Sequence, residues 1–148
     1  MKIDGEEVKA GKPCKYSSQE GCAIYETRPK DPCRNFNCYW LANNELPGWM
    51  NPESAKVILK PNFMWERPSS NIPVYLANAV GPKIPGKTRN WLLGFTAEKG
   101  INILCSEPLR EAKQYTGQQH HFGIGTVEFT AEVDKWREAG YPFLFTTR

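Results

Sequence analysis

The chain has 148 residues, 40% hydrophobic and 24% charged, and its 19 basic and 16 acidic side chains leave a net charge of +3. That apolar content is enough to bury a core over one domain's length, which argues against a disordered chain. No apolar run approaches the roughly 18–20 residues that span a bilayer, which argues against an integral membrane protein, and the mild charge balance names no partner.

In chain order, residues 5–22 carry Gly, Ser, Gln and Lys without hydrophobic periodicity and read as loop. Asp31 is a good N-cap and Pro32 a good first helical residue, so a short helix is expected over 32–42, with Phe36, Tyr39 and Trp40 along one side and Asn43-Asn44 ending it. Prolines at 47, 52, 61, 68, 73, 82 and 85 break the middle into short pieces, two of which, 56–60 and 74–79, read as strands. A helix is predicted over 88–99, with Trp91, Leu92, Phe95 and Thr96 inward and Gly100 as its stop. The β-rich run 101–105 then completes a strand–helix–strand unit with parallel strands. Beyond it come a strand at 125–129, a helix at 130–139 capped by Thr130 and stopped by Gly140, and a closing edge strand at 141–146.

These elements predict an α+β fold: a small cysteine-rich, metal-stapled N-terminal region packed on a small mixed β-sheet with two or three helices. The division falls at about residues 1–45 and 46–148, both within one compact domain.

Four of the five cysteines, Cys14, Cys22, Cys33 and Cys38, follow the spacing C-x7-C-x10-C-x4-C. Four thiolates suffice to close a tetrahedral zinc site; iron, as a single ion or an iron–sulfur cluster, is the alternative because soft sulfur donors suit both. On one continuous helix Cys33 and Cys38 would stand about 500° apart, so joint ligation requires the segment to bend or to begin as a turn. Arg28 and Arg34 lie beside the thiols, where their guanidinium groups would favour thiolates and offset the charge of a four-sulfur site. The first residues hold no apolar leader run, so a cytoplasmic, reducing location is expected, in which clustered cysteines more often hold metals than form disulfides.

The segments Gly11-Lys12-Pro13-Cys14, Gly21-Cys22-Ala23-Ile24-Tyr25-Glu26-Thr27-Arg28-Pro29 and Cys33-Arg34-Asn35-Phe36-Asn37-Cys38-Tyr39-Trp40-Leu41 resemble the GCxIYxxRPxxCRxFxCxWL core of the CxxCxxCC-type zinc- or iron-chelating family. The likeness is dense over residues 11–41 and fades beyond them to an order of elements. Two departures mark this chain: residues 1–13 lack the upstream cysteine pair of that family, and Asp31-Pro32 adds one residue before Cys33. The resemblance implies a bound metal and, through one branch linked to methylation of flagellin lysines, a tie to protein modification.

His120 and His121 are the only histidines, and neighbours in a strand point to opposite faces, so the pair is expected in an exposed loop or hairpin rather than on one metal. Lys83, Lys87 and Arg89 lead into the predicted helix and form a candidate anion-binding loop. Trp49 and Trp65 lie in proline-rich stretches and are expected to plug the core or mark a binding surface; Cys105 is expected to be a small buried hydrophobe. No nucleophile–base pair, Walker loop or paired-carboxylate motif stands out, so no catalytic residue is assigned.

The function expected is a metal-binding protein with a structural zinc site, iron being the alternative. It would act by binding a partner macromolecule, a protein first and nucleic acid second, through the Trp49/Trp65 loops or the 83–89 loop, without a membrane. The alternative is an iron-dependent or protein-modifying enzyme, as the resemblance to the methylation-linked branch implies.

Overall fold

The computed structural model describes residues 1–9, 12–112 and 114–147. The N-terminal segment opens with the hairpin β1 (Lys2–Ile3) and β2 (Glu6–Glu7), turned by Asp4 and Gly5, both at positive φ. Asp-Gly is the dipeptide such a two-residue turn favours. A second hairpin, β3 (Ser17–Ser18) and β4 (Gly21–Cys22), follows, so residues 5–22 hold more order than their composition suggests.

The helix expected over 32–42 is broken in two. Asp31 is extended rather than helical, a single wide turn covers Lys30–Arg34, and a separate helix α1 (Tyr39–Ala42) begins after Cys38. The Asp31-Pro32 peptide is cis, and Asn35 donates to the Asp31 carboxylate at 2.6 Å instead of an Asp31 cap receiving a helix N–H. Helix α2 (Pro52–Ala55) is capped by Asn51, whose side chain accepts from the Ser54 N–H at 3.0 Å, and leads directly into the sheet.

Five strands build that sheet: β5 (Val57–Trp65), β6 (Ile72–Ala79), β7 (Ile103–Glu111), β8 (Gln114–Ile124) and β9 (Phe145–Thr147), in the spatial order β8-β7-β6-β5-β9. The β6–β7 pair is parallel and joined by helix α3 (Gly86–Lys99); the other three pairings are antiparallel. The mixed α+β architecture is as the sequence predicts. Gly100, at φ +67°, closes α3 with its N–H on the Thr96 carbonyl.

Both faces of the sheet are covered. On one, Val57, Leu59, Ala77, Ala79, Ile103 and Cys105 pack with Leu92 and Phe95 of α3 and with Leu46 and Met50. On the other, Trp65, Val74, Leu76 and Leu104 pack with Phe129 and Val133 of helix α4 (Val127–Glu138). Burying a side chain such as Leu92 contributes roughly 1.5–3 kcal/mol, so these two layers account for the body's cohesion.

Strand β5 serves both layers because its register slips by one residue between Lys60 and Phe63. Asn62, at φ +63°, sits in that bulge, and the side-chain alternation reverses beyond it. Val57 and Leu59 therefore face α3, while Trp65 faces α4 and stacks on Phe143 at 5.5 Å.

The C-terminal expectation needs correction. The strand placed at 125–129 is instead the end of β8 at Ile124 followed by the start of α4, and the cap is Thr126, which accepts from the Phe129 N–H at 3.2 Å. The closing strand is a sheet edge, as expected, but is confined to β9. Among the described residues, no helix is long and apolar enough to cross a membrane.

Candidate functional site

The cysteine-rich segment buries few of its apolar side chains fully. Among its described residues up to 45, the buried hydrophobic residues are Ile3 and Cys38. Polar contacts supply its order: the Tyr16 hydroxyl donates to Asp4 at 2.5 Å, Lys15 faces Glu6 at 3.5 Å, and the Cys14 carbonyl accepts from the Ser17 N–H and hydroxyl. Exposed ion pairs of this kind add little to stability.

Each candidate ligand sits at a turn or an element end. Cys14 precedes the second hairpin, and Cys22 is exposed on β4 opposite Ser17. Cys33 lies half-buried in the wide turn, whereas Cys38 is buried just ahead of α1. The break between that turn and α1 supplies the bend that joint use of Cys33 and Cys38 requires. None of the five cysteines is in a disulfide, and among the described residues no group of three or more His, Cys, Asp or Glu side chains is gathered to hold a metal ion. The fit to zinc or iron is therefore one of donor chemistry, four soft sulfur atoms in one segment, and not of a preformed cage.

Arg34 draws the segment together. Its Nε donates to the Arg28 carbonyl at 3.0 Å and its Nη2 to the Glu26 carbonyl at 2.9 Å, tying the turn that carries Cys33 to the stretch after Cys22. Arg28 donates to the Tyr25 carbonyl at 2.5 Å and lies over the Tyr25 ring at 3.7 Å. Both guanidinium groups are thus engaged with main chain and ring.

The basic loop 83–89 divides on folding. Lys87 lies over the Trp49 ring at 4.2 Å. Arg89 turns the other way: its Nη2 donates to Glu107 Oε1 at 2.7 Å and its guanidinium covers the Phe122 ring at 4.3 Å. Glu107 is only 4% exposed, and its second oxygen accepts the Ile84 N–H at 3.0 Å. Lys83 and His120 line a cavity of about 290 Å³ around Glu107.

The histidines lie half-buried inside β8, the second arm of the antiparallel β7–β8 hairpin, so the hairpin of the expectation is met and the exposed loop is not. His120 pairs in register with Glu107 on the α3 side, and His121 pairs with Ser106 on the α4 side, where it stacks on Phe143 at 4.3 Å. Burial, with help from His120 and Arg137, pushes the His121 imidazole down to about 4; burial and then Arg137 also lower His120. Cys105 is fully buried, and its burial pushes the thiol well above the usual thiol range, so it is inert packing as expected.

A scan of protein-family models and searches of curated proteins and of solved structures find no match to this chain. The resemblance over residues 11–41 stands on the residues quoted for it, of which Gly11 lies outside the described residues.

One residue of this region escapes a sequence reading. Glu107 continues the alternation Ile103, Cys105 onto the α3 face, a charged residue in an apolar series, and His120 is its cross-strand neighbour. That alternation was the available signal. The tryptophans resolve differently from each other: Trp65 is 0% exposed and offers no partner surface, while Trp49 is half-buried, edge-on to Trp91 at 6.3 Å.

Proposed function

We propose that the chain is a metal-binding protein whose N-terminal 45 residues close around one zinc ion through Cys14, Cys22, Cys33 and Cys38, with iron, as an ion or a sulfur cluster, as the alternative. What supports this is the contrast within the segment: among its described residues, Ile3 is the one buried hydrophobic residue besides Cys38, against four thiols outside any disulfide. A stretch that cannot bury a core needs another source of folding free energy, and metal coordination provides it directly. Binding is expected to draw the second hairpin, preceded by Cys14 and ended by Cys22, toward the wide turn with Cys33 and the start of α1 at Cys38. Arg28 and Arg34, held by main-chain carbonyls nearby, would offset the negative charge of a four-thiolate site.

Four protein ligands leave no open position, so the metal's role is structural and the protein acts by binding a partner. A reducing compartment such as the cytoplasm keeps the thiols available. A protein partner fits best, at the surface where Trp49 and Lys87 meet beside the α3 N-terminus; nucleic acid is the second candidate. Trp49 presents a half-buried ring there, and aromatic residues are enriched in interface anchors.

Elemental analysis of protein made without added metal is the deciding experiment. One zinc or iron per chain, lost together with N-terminal protection from hydrogen exchange when a chelator is added, is the expected result. Metal-free protein with four freely reactive N-terminal thiols and no response to chelator overturns the proposal.

A further inference from the structure

Helix α2, the loop after β6 and the first turn of α3 meet at one end of the sheet, and two hydrogen bonds fix their arrangement. The Val80 N–H donates to the Lys56 carbonyl at 3.0 Å, and the Thr88 hydroxyl donates to the Ala55 carbonyl at 2.7 Å. Lys56, in the left-handed conformation at φ 57°, closes α2 there, Lys83 lies in the loop, and Lys87 stands in the first turn of α3. All three are exposed, and among the described residues none of their ammonium groups pairs with a carboxylate.

Acidic residues are sparse around them. Glu53 of α2 is the one acidic residue between Glu45 and Glu66, and none lies between Glu66 and Glu98. Glu66 follows the far end of β5, and Glu98 stands in the last turn of α3. Glu107 is already engaged by Arg89 at 2.7 Å and by the Ile84 N–H at 3.0 Å. Three lysines therefore face solvent against Glu53 alone, a local excess that attracts a partner bearing negative charge. The packing decides which polyanion fits. Lys87 covers the Trp49 ring at 4.2 Å and Trp91 meets it edge-on at 6.3 Å, so the ring is no platform on which a base can stack. Arg89, whose planar fork would match a phosphate, is turned onto Glu107. What remains is compact ammonium charge beside an apolar spot, Val80, which is 47% exposed. Pro82 and Pro85 stiffen the loop between them, which lowers the entropy lost on docking.

We propose that this end of the sheet docks an acidic segment of a partner protein, its carboxylates paired with Lys56, Lys83 and Lys87 and one apolar side chain resting on Val80. This rests on the reading that the chain acts through a partner at the Trp49 surface, and it narrows that partner to an acidic protein. It does not depend on a bound metal.

The test is a titration of the full chain, followed by amide chemical shifts, with three probes: an acidic dodecapeptide of aspartate and glutamate around one leucine, its neutral counterpart of asparagine and glutamine, and a single-stranded oligothymidylate. The expected result is saturable binding of the acidic peptide, weakened by salt, with shifts at residues 48–49, 56, 80–83 and 87, and no saturation by the neutral peptide. Lys56→Gln and Lys83→Gln are each expected to weaken binding about two- to fivefold, the effect of losing one exposed charge pair. Lys135→Gln, which removes an exposed lysine of α4, is expected to leave it unchanged. Tighter binding of the oligothymidylate would overturn the choice of an acidic protein. So would no saturation by about 1 mM acidic peptide, or an equal loss in Lys135→Gln and Lys83→Gln. None of these outcomes bears on the metal, which elemental analysis decides separately.

Discussion

Gly125 and Asn102 lie so close that a β-carbon at Gly125 would stand 2.2 Å from the Asn102 Oδ1. That oxygen accepts the Thr126 N–H at 3.2 Å, while the Asn102 carbonyl accepts the Tyr75 N–H at 2.9 Å. One side chain thus joins the entry of β7 to the start of α4. Gly125 is also at φ +155°, a conformation that suits glycine. Gly125→Ala is expected to destabilise the chain by about 2–4 kcal/mol through overpacking and strain, read as a lower urea midpoint with an unchanged slope.

Arg89 and Glu107 should be strongly coupled. Arg89→Ala strands a carboxylate that is only 4% exposed, and a loss of about 2–3 kcal/mol is expected, moderated because the Arg89 side chain is itself 43% exposed. Arg89→Leu combined with Glu107→Leu should recover most of it. Additive losses in the double-mutant cycle would show that the two act separately.

Cysteine substitutions should separate the cysteine-rich segment, with its proposed metal, from the body. Cys105→Ser places a hydroxyl in a dry layer between Ile103 and α3 and is expected to cost about 1–3 kcal/mol with metal content unchanged. Cys22→Ser, at an exposed position, should lower metal content while the body's melting is retained. Equal metal content in both variants would remove Cys22 from the ligand set.

Stability should rise with pH between about 4 and 6.5. His121 is pushed down to about 4 when folded against an ordinary 6.5, so in this window the unfolded chain binds the extra proton and acid favours unfolding. Above pH 6.5 the imidazole is neutral in both states and this contribution is flat. Phe143 stacks on the ring, while His120 and Arg137 oppose its charge. His121→Asn should flatten the slope in pH-dependent urea melts, leaving the smaller share of His120. An unchanged slope would assign it to other groups.

The body was legible where local signals agree with packing. Leu92, Phe95 and Gly100 mark α3 by helical spacing and a left-handed stop, and the parallel strands on either side of it follow. Strand β8 was hidden because Gln114, Thr116, Gly117 and Gln118 are exposed and carry no apolar alternation; only its far end, at Ile124, is fully buried. The helix expected from Asp31-Pro32 failed because the Asp31 side chain accepts from the Asn35 side chain instead of capping a helix N–H, a local contact that competes with capping. For the candidate sites, spacing exposed the four cysteines, but nothing in a linear pattern could pair Arg89 with Glu107, since their contact spans a helix and a strand.

The single extra residue at Asn62 makes β5 a through-bolt between the two cores. Excising it would turn the strand's second half inside out, presenting Trp65 to α3 and stripping the aromatic stack from Phe143 and Trp136. The layer beneath α4 would lose its keystone while the layer beneath α3 gained a ring it has no room to house.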